Sequence, residues 1–284
     1  MFANDILLFS QADECSIKLL LEGLNRFLEA SGMCLNLNKC TVVFGNTPTS
    51  TREQICRALN MQIGTLPLKY LCLPLVSRGL SAADCKCLIM KMADKIQAWT
   101  NKCLSFSGRL QHIQATLSGL HNFWIINAVL PKSTLKDCEN IMHNYLWAGS
   151  GGRKRSKVSW SLVCKPKEEG GLGLRRSTDC NKAAVMKLIW EILTNKQTLW
   201  VRWCKAEILK GQSLWQMERK QGLSVTWKFL LNLRNLISAN LVYSIGHNSS
   251  WSLWNDPWLH NRSLFERLGN RAIYDSGLSR EATL

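Results

Sequence analysis

The residues best equipped for chemistry in this chain are cations. Arg153, Lys154, Arg155 and Lys157 fall within one short stretch, preceded by Gly149, Gly151 and Gly152. A glycine-flanked loop this basic suits phosphate contacts, each of which adds about −0.9 to the salt slope of binding to duplex DNA. The surrounding charge points the same way. The chain carries 36 Lys and Arg against 20 Asp and Glu, a net charge of +16. Residues 1–48 contribute −2, residues 49–149 contribute +6, residues 150–234 contribute +12, and residues 235–284 balance. A block of that density implies a polyanion partner, an RNA or DNA backbone, with a merely soluble basic surface as the alternative.

Other candidate chemistries are weaker. The 12 Cys are scattered without a CxxC pair, and the 5 His form no HxxxH pair, so no zinc site is assigned. The thiols read as reduced and mostly buried small hydrophobes. Gly170-Gly171-Leu172-Gly173 lacks the GxxxxGK[ST] pattern of a phosphate-cradling loop and reads as a structural turn. Trp99, Trp124 and Trp190 fall in apolar helical patterns and are assigned to the core. Trp251, Trp254 and Trp258, in a short polar context, read either as an exposed stacking patch or as a cap on the final segment.

The elements that must position these residues follow from periodicity. Met1–Ala3 and Ile6–Phe9 read as two strands around an Asn4-Asp5 turn. Ile17, Leu20, Leu21, Leu24, Phe27 and Leu28 mark a helix that Gly32 ends. Leu35–Phe44 reads as a strand, 52–59 as a short helix, and Leu66–Val76, with Pro67 and Pro74, as an edge strand or hairpin. From Ser81 the pattern turns helical, with apolar faces at Cys85–Cys103, Leu110–Trp124 and Leu135–Leu146 that predict a small bundle. Helical patterns resume near Asn181–Leu193 and Leu199–Leu209.

Composition closes off several classes. At 46% hydrophobic residues with 12 Trp, the chain is not a disordered polymer. No stretch approaches about 18 uninterrupted apolar residues, so no membrane span is expected. The first ten residues lack a basic start and carry Asp5, which argues against a secretory signal.

Several segments together resemble a known family. Phe2-Ala3-Asn4-Asp5, continued by Ile6-Leu7-Leu8-Phe9, resembles the FADD motif of reverse transcriptases. Ser31-Gly32-Met33 with Asn36–Cys40 resembles the SGL…NxxKS segment of LINE-type (non-LTR) elements. Leu66–Leu75 resembles LPxxYLGxPL. Lys95–Trp99 followed by Leu104–Arg109 resembles KIxxW…LSxAGR. Tyr145-Leu146-Trp147 resembles FLW, Pro166–Gly173 resembles PKxxGGLG, and Leu199–Trp203 and Trp254–Trp258 also match. Their order over almost the whole chain resembles the C-terminal half of a plant-type LINE reverse transcriptase.

The resemblance implies an α+β, mostly α fold. A partial palm occupies 1–80, with the FADD-like turn and a primer-grip-like hairpin. A helical thumb-like bundle occupies 81–148. A basic helical extension occupies 149–284, ahead of a zinc segment that the chain does not reach. In such polymerases two Mg²⁺ ions stabilise the attacking and leaving oxygens, held by carboxylates. Here the first motif position is Asn4, a neutral amide, and only Asp5 offers a carboxylate. The companion Asp is expected to lie on an earlier palm strand outside the chain. The implied function is therefore a degenerate RNA-directed DNA polymerase fragment, inactive by itself, with Mg²⁺ not held productively and residual sequence-independent nucleic-acid binding. The alternatives are a co-opted nucleic-acid-binding or interaction protein and the C-terminal half of a split enzyme that needs an N-terminal partner. The family also implies an intracellular, nuclear setting.

It nominates further residues. Lys69 and Tyr70 would touch a primer end, although Tyr70 reads more readily as a core residue. Lys39 would lie near the nucleotide or stand solvated at a strand end. Lys95, Lys102 and Arg109 would lie on or near polar faces of the thumb-like helices, where a duplex backbone would run.

Overall fold

The computed structural model describes residues 6–100, 104–147, 158–244, 246, 249 and 251–284. Asn4, Asp5, Lys102 and the Arg153–Lys157 cluster lie outside the described residues. The chain is α+β and mostly helical, and it divides into two compact units, Met1–Ser77 and Arg78–Leu284.

In the first unit, residues 6–11 carry no regular structure. The strand expected over Ile6–Phe9 is absent there, because a strand needs a hydrogen-bonded ladder and no described neighbour supplies one. Ile6, Leu8 and Phe9 stay in water, Phe9 at 86% exposure. Helix α1 (Glu14–Ser31) forms where the periodicity placed it. The Asp13 carboxylate accepts the Ser16 amide at 2.8 Å, and Gly32 ends the helix at φ +67°. This is the usual pairing of an acidic N-cap with a left-handed glycine.

The expected strand over Leu35–Phe44 shrinks to β1 (Thr41–Val42). Leu37–Lys39 winds instead into a 3-10 turn, because the Asn36 side chain accepts the Asn38 amide at 3.1 Å and offers the backbone a local alternative to a ladder. Helix α2 (Thr49–Leu59) then carries the chain to β2 (Gln62–Ile63), which pairs parallel with β1, Thr41 opposite Gln62. Strands β3 (Leu68–Tyr70) and β4 (Leu73–Leu75) form the antiparallel hairpin expected of Leu66–Val76.

In the second unit, α3 (Lys86–Thr100) follows a clamp on the Asp84 carboxylate. Its Oδ2 accepts the Ser81 amide at 2.8 Å and the Arg78 Nη1 at 2.6 Å, and Arg78 Nη2 reaches Oδ1 at 3.1 Å. The Arg78 guanidinium and Ser81 hold this carboxyl far below the usual carboxylate range. The expected helix over Leu110–Trp124 is α4 (Phe106–His112), one π turn at Ile113–Leu117, and α5 (Ser118–Asn127). Pro131 precedes α6 (Lys132–Trp147), which packs on α3 and α4. Cys85, Leu88, Met92, Ile113, Leu117, Trp124, Cys138, Met142 and Leu146 fill the core of this bundle.

Beyond it come the short α7 (Trp160–Val163), then α8 (Ser177–Leu193), α9 (Leu199–Trp203) continued by a π turn at Cys204–Leu209, α10 (Val225–Ser238) and α11 (Leu264–Ser276), which breaks at Gly269. A second core joins Val185, Ile189 and Ile192 of α8 to Cys204, Leu209, Leu214 and Met217, and to Trp227, Leu230, Leu231, Leu233 and Ile237 of α10. Helix α10 was not read from the sequence, although its apolar spacing and its Ser224 cap carry the signal.

Two cross-links tie the bundle to α8. The Asn181 side-chain amide, 2% exposed, donates to the carbonyls of Ile125 and Ala128 at 2.9 and 2.8 Å, closing the end of α5. The Glu139 carboxylate on α6 accepts the Ser177 amide at 2.7 Å and caps α8.

Gly170–Gly173 is the structural turn expected. Gly170 and Gly173 have φ of +81° and +69°, and a Cβ at Gly171 would land on the Lys165 carbonyl. The tryptophans divide. Trp124 is buried and Trp99 half-buried, but Trp190 is 48% exposed, against the core assignment. Its position falls beside the buried face of α8, which runs through Asn181, Val185, Ile189 and Ile192. The cysteines also depart from expectation. Among the described residues only Cys85, Cys138 and Cys204 are buried, while Cys15, Cys34 and Cys72 are exposed.

Candidate nucleic-acid interface

The nominated cations sit in different settings. Lys39 ends the 3-10 turn and is exposed. Lys69, on β3 opposite Pro74, is exposed, and its neighbour Tyr70 is half-buried opposite Leu73. Alternation along a strand sends these two side chains to opposite faces, so one hairpin face carries the cation and the other the ring. Lys95 lies on the exposed face of α3.

Arg109 differs from the open polar position expected of it. It is half-buried, and its Nε and Nη1 donate to the carbonyls of Leu146 at 3.0 Å and Leu104 at 2.7 Å. Its guanidinium thereby closes the C-terminal end of α6, where carbonyls lack helical partners. This is a fastening of the bundle made with a charged side chain.

Sequence reading passed over a polar cavity in the same unit. It measures about 180 Å³ and is lined by residues of the π turn and α5, by Met142 and Trp160, and by Gly173, Leu174 and Arg175. Its wall includes His121, 3% exposed, whose Nε2 has no hydrogen-bond partner, and Trp160, whose Nε1 likewise has none. Burial pulls the His121 imidazole down to about 4, so the ring is neutral near pH 7. Arg175 and Arg176, both exposed, follow the glycine turn and precede α8. Their signal was present in the sequence as part of the basic block. His121 stands beside Asn122 as a polar interruption of an otherwise apolar stretch, and its cavity is closed by Met142 of α6 and Gly173 of the glycine turn.

Nucleophilic cysteine chemistry finds no support at the buried thiols. Burial pushes Cys138 up to about 12 and Cys204 up to about 11, which leaves both protonated at neutral pH. Among the described residues no three His, Cys, Asp or Glu side chains converge as metal ligands, and no helix is long and apolar enough to cross a membrane.

The final segment resolves the other tryptophan question. Trp254 is buried and its Nε1 donates to the Ser279 carbonyl at 2.9 Å. Trp258 Nε1 donates to the Leu253 carbonyl at 2.9 Å. The Asp256 carboxylate accepts Trp215 Nε1 at 2.8 Å and the Ser252 amide at 2.7 Å. Leu253 and Leu284 pair with Ala282 and Trp251 through the backbone. The cluster is thus a cap that fastens the chain's last residues, with its polar edges satisfied internally.

No family model matches the chain. Two proteins of Arabidopsis thaliana are similar to it. One, named "Putative ribonuclease H protein", is 30% identical over 184 residues, which is 63% of this chain and 30% of that protein. The other, named "Uncharacterized mitochondrial protein", is 29% identical over 132 residues, which is 46% of this chain and 86% of that protein. The chain therefore spans less than a third of the longer relative and most of the shorter one.

Proposed function

We propose that the chain is a segment of a retroelement-derived protein, of the LINE reverse-transcriptase type, that grips a nucleic-acid backbone without sequence preference and does not polymerise DNA by itself. The observation that carries the binding reading is the placement of charge: twelve of the sixteen excess positive charges fall in residues 150–234. The similarity to a plant protein named for ribonuclease H supports a retroelement setting. The ordered sequence segments support the reverse-transcriptase type.

The catalytic part of the reading rests on Asn4. Two divalent ions need several hard, negatively charged oxygens, and the Asn4-Asp5 pair supplies one carboxylate and one amide. These residues do not fit a two-metal site, and no chemical step is assigned to one. A primer-extension assay with Mg²⁺ or Mn²⁺ is expected to show no incorporation, and incorporation would overturn this part.

The binding part is tested by titrating the chain with a labelled duplex over a series of salt concentrations. Affinity is expected to fall linearly on logarithmic axes, and the slope to flatten when Arg153, Lys154, Arg155 and Lys157 are all replaced by Ala. A slope that stays the same refutes the phosphate assignment of that cluster.

A further inference from the structure

Two buried nitrogens line one cavity of the second unit without a partner. The cavity measures about 180 Å³ and lies among α5, the π turn before it, α6, α7 and the glycine turn. His121, on α5, is 3% exposed, and its Nε2 is unpaired. Trp160, at the start of α7, keeps its Nε1 buried and equally unpaired. Folded proteins leave few buried polar atoms unmatched, because the unmade hydrogen bond is costly. Two such atoms in one cavity mark a place where a partner belongs.

The rest of the polar lining has one property in common. Gln114, Ser118 and Asn122 carry amide or hydroxyl hydrogens, and Arg175 brings a guanidinium. An indole N–H and a guanidinium donate and never accept. A neutral imidazole donates from Nε2 in the tautomer that has its proton there. Neither Asp nor Glu lines the cavity among the described residues. Arg175 is exposed and forms no ion pair among them.

A wall of donors with one cation and no carboxylate suits an anionic group that only accepts. A cationic ligand, or one rich in donors, would leave the indole and the guanidinium unpartnered. Size narrows the class. The space far exceeds what one water needs, and it falls short of the roughly 300–1,000 Å³ of sites for drug-sized ligands. The donors come from three segments: α5, α7 and the stretch after the glycine turn. A phosphate group spreads its acceptor oxygens around one atom and can meet all three. A carboxylate presents its oxygens in one plane. The π turn at Ile113–Leu117 forms part of the same wall, and such turns recur at functional sites.

We propose that this cavity binds a single phosphate group, with Trp160 Nε1, His121 Nε2 and the Arg175 guanidinium donating to its oxygens. The group is either free inorganic phosphate or the monoester at the 5′ end of a nucleic-acid strand, which share this chemistry. The inference does not rest on the backbone reading above, since a chain that ignores duplex DNA can still hold one phosphate.

The test titrates the full chain with inorganic phosphate by isothermal calorimetry, where saturable one-to-one binding is expected. Arg175→Ala removes the charge, and Trp160→Phe keeps a ring while deleting the N–H. Each is expected to weaken binding by about 10- to 150-fold, the worth of a hydrogen bond to a charged group. Arg176→Ala removes the same charge from an adjacent exposed residue outside the lining, and should leave the affinity unchanged. Circular dichroism checks folding, and the exposed Arg175 carries the test if Trp160→Phe does not fold. A second arm compares 5′-phosphorylated with 5′-hydroxyl oligo(dT). A preference for the phosphorylated strand that Arg175→Ala abolishes supports the site and assigns the phosphate to a strand end. Binding of inorganic phosphate without that preference supports it and assigns a free ion. Losses in neither cavity variant, or equal losses in Arg175→Ala and Arg176→Ala, place the phosphate elsewhere and overturn the site. No saturable binding in either arm overturns it as well, and the cavity then holds only water.

Discussion

His121 shows how one buried side chain links the fold to pH. Its ring is 3% exposed, and burial lowers its ionisation from the ordinary 6.5 to about 4. The unfolded chain therefore takes up a proton on this residue at a higher pH than the folded chain does. The group's contribution is fully present above pH 6.5 and is lost as pH falls toward 4, a total of about 3 kcal/mol. His121→Leu removes the titration. Chemical denaturation at pH 7 and pH 4.5 should show a smaller loss of stability on acidification in the variant than in the wild type. Equal losses would show that the imidazole is not held neutral. Asp84 acts in the same direction from the opposite chemistry. Arg78 and Ser81 favour its charged form, so that support is present above the ordinary carboxylate value of 3.8 and fades as pH falls below it.

The β3–β4 hairpin is the element whose local sequence and backbone disagree. Its two-residue turn, Leu71 at φ +47° and Cys72 at φ +68°, has the positive angles of a type I′ connection, which normally recruits Asn and Gly. The LPxxYLGxPL pattern that Leu66–Leu75 resembles has glycine where this chain has Cys72. An L side chain held in the left-handed region costs about 1–2 kcal/mol. Cys72→Gly is thus expected to stabilise the first unit by about 1 kcal/mol, after the greater freedom that glycine gives the unfolded chain is deducted. A lower midpoint in urea denaturation for this variant would contradict the strain. In the helices sequence and backbone agree: Asp13, Ser105, Thr198, Ser224 and Ser263 each accept an amide from the first turn they precede. Each such cap contributes about 1 kcal/mol.

At the scale of the whole molecule the two units are unequally furnished. The second contains nearly all of the buried apolar residues, while the described part of the first buries only Ile17 and Ile55 among its hydrophobic side chains. The first unit also leaves Ile6, Leu8, Phe9, Leu19 and Ile63 in water. Charge is also unevenly spread along the sequence, with the basic block of residues 150–234 far from the acidic-leaning first 48 residues. Replacing the four cations of the Arg153–Lys157 cluster should therefore flatten the duplex salt slope by roughly 3–4, at about 0.9 per phosphate contact.

What the sequence determined by itself was local. The 3.6-residue spacing in α1, α3, α6 and α8, the Gly32 cap and the Gly170–Gly173 turn are legible because the physics that sets them acts within a few residues. Net charge is legible because it is additive. The tertiary structure decided what depends on distant partners. Arg109, readable as a phosphate contact, spends its guanidinium on carbonyls at Leu104 and at Leu146, 37 residues away. The Ile6–Phe9 segment has strand composition but no described strand to pair with. Trp190 fits an apolar helical pattern, yet the packing of α8 on α5 and α10 buries Asn181, Val185 and Ile189 and leaves the indole outside. A helix shows its apolar residues in sequence, but which stripe is covered is settled by the helices that pack against it.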